Sequence, residues 1–256
     1  MSTIMVKIGG KAAENEESLG ALCDEMLELG RENRLILVHG GGAEVSAFSR
    51  RLGIEPVFQQ GIRQTSAEEM DLVDMVLAGR VNKHLVRLLR TRGIDAVGLS
   101  GSDGGIFTGS AMGGDPQRTR SGEVEDIDPR LLEVLLSAGF LPVLCSTSMD
   151  RQGNGLNINA DTAAFKLAIR FRADALVFFS DIPGVLSDGS VVQTMSAEEA
   201  HALIQRGVIA GGMVPKVSAS LEALDRGVQK VIIGQYDGAG SLARMLDGKQ
   251  GTRLWK

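Results

Sequence analysis

Leu35-Ile36-Leu37-Val38-His39-Gly40-Gly41-Gly42 is an apolar run that ends in three glycines, and a helical pattern begins directly after it near Ala43. The run predicts a buried strand, and glycines at its end permit a turn that no side chain obstructs. The helix that follows offers unpaired N–H groups and the positive end of its dipole to an anion. The stretch therefore predicts a phosphate site in a strand–turn–helix unit, although glycine after a strand is also ordinary turn chemistry.

A second junction of this kind opens the chain, where the strand Ile4-Met5-Val6-Lys7-Ile8 ends in Gly9-Gly10. A charge within a strand is costly unless it reaches a partner at the strand's end, so Lys7 is a candidate ligand for an anion. The alternative is a lysine whose amine reaches water at a sheet edge. Two glycine turns and one lysine together indicate a single polyphosphate ligand.

Short runs of Val, Ile and Leu alternate with amphipathic segments along the rest of the chain. This alternation predicts an α/β fold with a mainly parallel central sheet sandwiched by helices. Residues 101–126 are rich in Gly and Ser and are expected to form hairpins that carry binding surface. No linker is evident, so we expect a single domain, 1–256, whose two lobes divide around 150–180. The predicted strands are 4–9, 34–39, 94–99, 141–145, 174–179 and 229–233, and the predicted helices lie near 15–32, 42–52, 66–91, 129–139, 160–172, 196–207 and 213–227.

The composition of the 256-residue chain argues against several classes of binding partner. An aromatic content of 4% argues against stacking platforms for bases or sugars, and a net charge of −5 argues against nucleic-acid and anionic-membrane partners. No apolar run is long enough to span a bilayer, and Cys23 and Cys145 are expected to be buried thiols in a reducing compartment. We therefore expect a cytoplasmic protein.

Several common catalytic patterns are absent from the sequence. It lacks the Walker, dinucleotide-binding, Gly-x-Ser-x-Gly and His-Glu-x-x-His motifs. The spacing of His39, His84 and His201 implies no catalytic partner for any of them. Metalloprotease and serine-hydrolase chemistry are therefore disfavoured.

Two segments in the first two thirds of the chain carry candidate substrate ligands. Arg63, in Gly61-Ile62-Arg63-Gln64-Thr65, can hold a carboxylate through its guanidinium fork or form a surface salt bridge. Asn157-Ile158-Asn159-Ala160-Asp161 points three polar groups the same way by alternation, before a helix predicted to start near Thr162. A helix cap is the alternative for these groups, but one cap requires only one residue.

Two later segments carry candidate nucleotide ligands. In Gly211-Gly212-Met213-Val214-Pro215-Lys216, the lysine falls in the first turn of a helix, where its charge opposes the helix dipole unless a phosphate binds there. Ser180-Asp181-Ile182-Pro183-Gly184-Val185 follows a predicted strand and can hold the ribose or adenine edge of a nucleotide, or form an Asx turn.

These segments, in this order and over nearly the whole chain, resemble the amino acid kinase family, and within it the members that phosphorylate N-acetyl-L-glutamate. The resemblance implies transfer of a phosphoryl group from ATP to the side-chain carboxylate of N-acetyl-L-glutamate, the second step of arginine biosynthesis. It also implies a lobe of about 1–172 for the acyl amino acid and for dimerisation, and a lobe of about 173–256 for the nucleotide.

The resemblance also implies roles for individual residues. No strong base is required, because the attacking carboxylate is already ionised, whereas positive charge around the phosphoryl group is essential. Mg²⁺ is expected on the ATP phosphates with more water than protein ligands, and no protein ligand is assigned to it. The implied catalytic residues are Lys7, Lys216 and Asp161, the last holding both lysines in place. The implied substrate ligands are Gly41, Gly42, Arg63, Asn157 and Asn159. The implied nucleotide and phosphate ligands are Gly9, Gly10, Ser180, Asp181, Gly184, Gly212 and Met213.

Two alternatives stay open. A kinase for another acylated or carrier-linked amino acid, such as aminoadipate, would be expected to carry extra basic residues around Arg63, where the sequence has just one. A nucleotide or amino-acid sensor on the same fold would have lost its catalytic constellation, whereas both lysines and Asp161 are present.

The helix predicted at 66–91 bears on the oligomeric state. A second apolar group lies around Gly79, opposite the stripe that faces the core, and a helix on one sheet needs only one stripe. The second group therefore predicts a homodimer. The resemblance implies the same, and with a first strand that begins by Ile4 it implies a dimer insensitive to L-arginine. The core stripe is Met70, Val73, Leu77, Val81, Leu85, Leu88 and Leu89, and the second group is Leu72, Met75, Val76 and Val86.

Overall fold

The computed structural model describes residues 1–9, 15–59, 62–187 and 189–256. They form two compact units, one made of Met1–Leu35 with Ala164–Lys256, and the other of Ile36–Ala163. The sequence predicts one division around 150–180, whereas these units divide after Leu35 and again after Ala163. The first 35 residues nevertheless group with the C-terminal ones, because the first strand pairs with a distant strand, Ile4 lying opposite Ala175.

The elements follow one another in the alternating order that the sequence predicts. The strands are β1 (Thr3–Ile8), β2 (Arg34–His39), β3 (Phe58–Gln59), β4 (Ile62–Arg63), β5 (Ala96–Leu99), β6 (Phe107–Ala111), β7 (Ser121–Ile127), β8 (Leu141–Cys145), β9 (Thr147–Met149), β10 (Gly155–Ile158), β11 (Ala175–Phe179), β12 (Leu186–Ser187), β13 (Ser190–Val191), β14 (Thr194–Ser196), β15 (Lys230–Gly234) and β16 (Thr252–Trp255). The α-helices are α1 (Glu16–Gly30), α2 (Gly42–Arg51), α3 (Ala67–Asp74), α4 (Asn82–Arg90), α5 (Arg130–Ser137), α6 (Ala160–Phe171), α7 (Ala197–Gln205), α8 (Met213–Asp225) and α9 (Ser241–Leu246). A π-helical segment, Met75–Val81, joins α3 to α4.

The first unit contains a mainly parallel sheet with the strand order β14-β16-β15-β11-β1. Strands β1, β11 and β15 run parallel, whereas β16 runs antiparallel to β15. Every residue of β1 and β11 is buried, so both faces of these strands are covered. Because parallel strands end at the same edge of a sheet, Gly9 after β1 and Ser180 after β11 lie at one edge.

The second unit contains a parallel arrangement in which β8 lies between β2 and β5. His39 at the end of β2 is opposite Cys145 at the end of β8, so the glycine turn after His39 lies at the carboxyl edge of these strands. A separate small barrel is formed by β10, β7, β6 and β9. Its antiparallel pair β6–β7 confirms the hairpin expected within 101–126.

The α/β class and every predicted strand and helix are confirmed to within a few residues. The sequence reading missed β9, β10, β14, β16 and α9, because segments of three to six residues are too short to display a periodicity. Within the described ranges, no helix has the length and apolar character that a membrane span requires.

The long helix predicted at 66–91 is confirmed in its core stripe but not in its second apolar group. Leu72 and Val76 are buried within the chain, whereas Met75 is 63% exposed and a side chain at Gly79 would meet open space. The division into two stripes assumes 100° per residue, which does not hold across a π-helical segment. Met75, Gly79 and the half-buried Val86 are therefore what remains of the predicted second stripe.

Candidate functional site

Lys7 and Gly9 form one part of the carboxyl edge of the first unit. Lys7 is only 8% exposed and lies opposite Phe178 in the sheet. A side chain at Gly9 would place its Cβ 2.5 Å from Lys7 Nζ, so the amine lies over the Gly9 backbone. The lysine therefore reaches the end of its own strand, as the sequence predicts.

Ser180 and Lys216 form the other part of this edge. Lys216 Nζ donates a hydrogen bond to Ser180 Oγ at 3.1 Å. Gly9 and Ser180 follow the paired strands β1 and β11, so Lys7 and Lys216 lie at the same edge of the first unit. Amines beside a hydroxyl are a donor set that suits phosphate oxygens.

The N-terminus of α8 lies beside Lys216. Gly212 occupies the N-cap position, and no side chain caps the helix there. The N–H groups of Met213 and Val214 donate to the Ala210 and Gly211 carbonyls, and Pro215 has no N–H, so an anion role for Met213 stays a prediction. The conflict between the Lys216 charge and the helix dipole disappears if a phosphate binds at this end.

Asp181 and Gly184 lie in the segment after β11. Asp181 is exposed. Gly184 is buried with φ +152°, and a Cβ there would lie 2.7 Å from Thr252 Oγ1. The Val185 N–H donates to the same oxygen at 2.8 Å, so packing against β16 already explains the glycine. Roles for Asp181 and Gly184 in nucleotide binding stay predictions.

In the second unit, Gly41 and Gly42 form the junction between β2 and α2. Gly41 has φ +148°, and a Cβ there would lie 2.7 Å from Leu77 Cδ2 in the π-helical segment. Gly41 is also the N-cap of α2, which has no side-chain cap. The turn therefore presents unpaired backbone N–H groups at a helix N-terminus, the arrangement predicted for an anion site.

Arg63 reaches this turn from β4 and is only 7% exposed. Its Nη2 donates to the Gly42 carbonyl at 3.1 Å and to Ser46 Oγ, and its guanidinium carbon lies 4.8 Å from the centre of the Phe58 ring. Burial lowers the pKa of Arg63, an effect that the charge of Glu69 opposes. Its Nη1 is buried without a hydrogen-bond partner in the described structure. Because Arg63 is buried, the alternative of a surface salt bridge is wrong. Its unpartnered Nη1 is a charged donor that suits a carboxylate.

Asn157 lies beside the Arg63 segment, because its Nδ2 donates to Thr65 Oγ1 at 2.9 Å. Asn159 caps α6, its Oδ1 accepting from the backbone N–H groups of Asp161 at 2.8 Å and Thr162 at 3.3 Å. The helix begins at Ala160 rather than near Thr162, so Asp161 lies in its first turn and the predicted alternation ends at Asn159. Ligand roles for Asn159 and Asp161 stay predictions.

His39 and Asn82 are polar residues at the glycine turn that the sequence reading missed. His39 Nδ1 is 2.7 Å from the Gly40 carbonyl oxygen, and its Nε2 is 3.0 Å from Asn82 Nδ2. Both side chains are almost fully buried. The available signal was Asn82 itself, an amide within the apolar stripe that includes Val81 and Leu85.

One predicted ligand, Gly10, lies outside the described residues, as does Gly61 of the arginine segment. Of the predicted set, the structure brings together Lys7, Gly9, Ser180 and Lys216 in the first unit, and Gly42, Arg63 and Asn157 in the second. In the part of the chain that the structure describes, no three His, Cys, Asp or Glu side chains are grouped so that they could hold a metal ion.

Comparisons with known proteins show the family of this chain. Acetylglutamate kinase of Methanopyrus kandleri is 38% identical and covers 94% of this chain and 99% of its own. Acetylglutamate kinase of Synechococcus sp. is 41% identical over 88% of this chain and 78% of its own. Among solved structures, carbamate kinase from Giardia lamblia has a TM-score of 0.73 at 17% identity and covers 100% of this chain and 98% of its own, which shows the fold alone. The amino acid kinase family model matches residues 2–235, and the chain belongs to that family.

Proposed function

We propose that this protein transfers the γ-phosphoryl group of ATP to the side-chain carboxylate of N-acetyl-L-glutamate, giving an acyl phosphate and ADP in arginine biosynthesis. The observation that carries the proposal is the identity of 38–41% to several acetylglutamate kinases over most of the chain. The buried, unpartnered Nη1 of Arg63 supports it, because the substrate has an α-carboxylate that would satisfy this donor.

The second unit supplies the proposed amino-acid ligands. Arg63 binds the α-carboxylate through Nη1, while its Nη2 stays fixed on Gly42 and Ser46. The amide of Asn157, held in place by Thr65, adds a second donor. A guanidinium anchored on one side is pre-organised for its ligand, so little side-chain freedom is lost when the substrate binds.

The first unit supplies the proposed phosphate ligands. Transfer between two anions needs positive charge and alignment rather than a strong base, and Lys7 and Lys216 supply that charge. Mg²⁺ bound to the ATP phosphates would supply further positive charge. The amines and hydroxyl at this edge fit phosphate oxygens, so we propose that the ion is held by ATP and water rather than by the protein.

The experiment that tests the proposal measures ADP release from ATP and Mg²⁺ with N-acetyl-L-glutamate, free L-glutamate or N-acetyl-L-2-aminoadipate as acceptor. A parallel reaction with hydroxylamine traps the acyl phosphate as a hydroxamate. We expect both signals with N-acetyl-L-glutamate and much weaker ones with the other acceptors. A preference for the aminoadipate derivative, or ADP release that does not depend on any acceptor, would contradict the proposal.

The proposal includes a cytoplasmic homodimer. Met75 is 63% exposed next to the open space at Gly79, which supports a partner at this surface. Cys23 and Cys145 are buried and form no disulfide, which is compatible with a reducing compartment. Light scattering should give twice the mass of the chain, and Met75→Asp should give a monomer. A monomeric wild-type protein would rule out the dimer.

A further inference from the structure

His39 has a defined tautomer in this structure. Its Nδ1 is 2.7 Å from the Gly40 carbonyl oxygen, and a carbonyl only accepts, so Nδ1 carries the proton and donates. Nε2 is then an acceptor for the Asn82 amide at 3.0 Å. Burial is the largest cause that lowers the pKa of His39 to about 4, and the charge of Lys83 lowers it further. The ring is therefore neutral at neutral pH.

Asn82 is fixed in the orientation that this tautomer needs. Its Nδ2 also donates to the Val143 carbonyl at 2.8 Å, and its Oδ1 accepts from Lys83 Nζ at 2.9 Å. A flipped amide would turn its oxygen toward the Val143 carbonyl and the lone pair of His39 Nε2, losing both bonds. Lys83 Nζ is itself tied to the Gly98 carbonyl at 2.9 Å.

We propose that His39 and Asn82 are positioning residues that orient the Gly41 N–H group for phosphoryl transfer. The described chain contains no cis peptide bond, and in a planar trans peptide the N–H points opposite to the C=O. Because the His39 ring holds the Gly40 carbonyl, it also sets the direction of the Gly41 N–H, which points away from the ring. This inference rests on the proposed function and on the predicted role of Gly41 and Gly42 as ligands of the reacting groups.

The helix that carries Asn82 supports the turn at a second point. A Cβ on Gly41 would lie 2.7 Å from Leu77 Cδ2 and 3.2 Å from Val81 Cγ2, so both side chains pack against Gly41. These residues belong to the π-helical segment that ends immediately before Asn82. Packing against Gly41 and hydrogen bonding toward Gly40 thus come from one continuous helical element.

A role for His39 as a general base does not fit this geometry. Both ring nitrogens are occupied by protein partners, and a ring with a pKa of about 4 is a weak base at neutral pH. The acceptor carboxylate is ionised already and needs no base. Orientation of the neighbouring peptide is the function that remains for a buried histidine at this position.

The test compares three variants with a matched control. His39→Leu removes the donor, His39→Asn keeps an N–H near the place of Nδ1, and Asn82→Leu removes the group that fixes the tautomer. The control, Ser148→Ala, loses a hydrogen bond from a hydroxyl that is also buried, in this case to the Phe107 carbonyl in the barrel. Loss of one hydrogen-bond donor to the transition state typically lowers kcat by about 10²- to 10³-fold.

We expect His39→Leu and Asn82→Leu to lower kcat by about 10²-fold, with smaller changes in both KM values. His39→Asn should recover at least about tenfold of that loss. The control Ser148→Ala should keep the wild-type kcat. Thermal melting of each variant separates lost folding from lost catalysis. Wild-type kcat in His39→Leu would overturn the proposal, as would equal losses in His39→Leu and His39→Asn.

A spectroscopic readout tests the pair without any activity measurement. Long-range ¹H–¹⁵N spectra of the ¹⁵N-histidine-labelled wild-type protein should show His39 as the Nδ1–H tautomer and without titration between pH 8 and about 5.5. In Asn82→Leu the preference for this tautomer should weaken. An Nε2–H tautomer in the wild type would overturn the proposal. Absence of ADP release by the wild type would instead refute the proposed function, and the spectra would still test the hydrogen-bonded pair.

Discussion

Arg63→Met should abolish most binding of N-acetyl-L-glutamate while leaving the folded protein about as stable as before. The substitution removes two hydrogen bonds, to the Gly42 carbonyl and to Ser46 Oγ. Each contributes roughly 1 kcal/mol to the free energy of unfolding. It also removes the buried, unpartnered Nη1, whose desolvation costs roughly 1–3 kcal/mol. The two effects oppose each other, so the free energy of unfolding should change by no more than about 1 kcal/mol.

The same substitution should have a large effect on the substrate. Removing one partner of a buried charge pair costs about 2–5 kcal/mol, and each 1.4 kcal/mol is about tenfold in affinity. The KM for N-acetyl-L-glutamate should therefore rise roughly 30- to 4,000-fold. The KM for ATP should change little, because the proposed nucleotide ligands belong to the first unit.

Steady-state kinetics with each substrate varied in turn, together with denaturant unfolding, provide the assay. Arg50→Met is the matched control, because Arg50 is an exposed arginine of α2 whose contact with Glu55, at 3.5 Å, is also exposed. It should leave both KM values and the stability unchanged. Equal increases in the two KM values for Arg63→Met, or a loss of more than about 2 kcal/mol of stability, would show that Arg63 is structural.

Three further outcomes follow from the geometry. Lys7→Ala and Lys216→Ala should each lower kcat by about 10²-fold or more, and Lys216→Ala should show the larger loss of ATP affinity. A near-normal kcat in either variant would remove that lysine from the mechanism. Gly98→Ala would place a Cβ 2.0 Å from Asn82 Oδ1, so it should lower kcat as Asn82→Leu does, and unchanged kinetics would show that the amide is not held as described. Because His39 has a pKa of about 4 in the folded protein and 6.5 as its ordinary value, the unfolded chain binds more protons between these values. Stability should thus fall by about 3 kcal/mol as the pH drops from 6.5 to 4, and denaturant unfolding of His39→Leu should lack this component.

The main helices and strands could be predicted because each one is long enough to show a clear hydrophobic pattern. The apolar run of β2 and the glycines after it identify both the strand and the turn, and β11 and β15 are equally clear. The barrel is different, since β9 and β10 contain three and four residues, and their identity as strands depends on partners elsewhere in the barrel. Pairings of this kind cannot be seen in a local pattern.

Residue type identified the candidate ligands, but the environment of each one could not be predicted. Arg63 was recognisable as a carboxylate ligand, whereas its burial and its unpartnered Nη1 depend on how β4 lies against α2. Asn159 could be a cap or a ligand by sequence, and its bonds to the start of α6 show the cap. His39 seemed to lack a partner because Asn82 lies 43 residues later and reaches it only in the folded unit.

The discontinuity of the first unit has a consequence for how the chain folds during synthesis. Strand β1 leaves the ribosome early, but β11, one of its two neighbours in the sheet, begins only at Ala175. At translation rates of about 5–20 residues per second, the apolar residues of β1 wait roughly 10–30 s for that partner. The residues made in between, Ile36–Ala163, form a unit with its own internal contacts and can fold during this interval. The edge of β1 that pairs with β11 is therefore open in the nascent chain, and fusions that delay the C-terminal residues should aggregate through it.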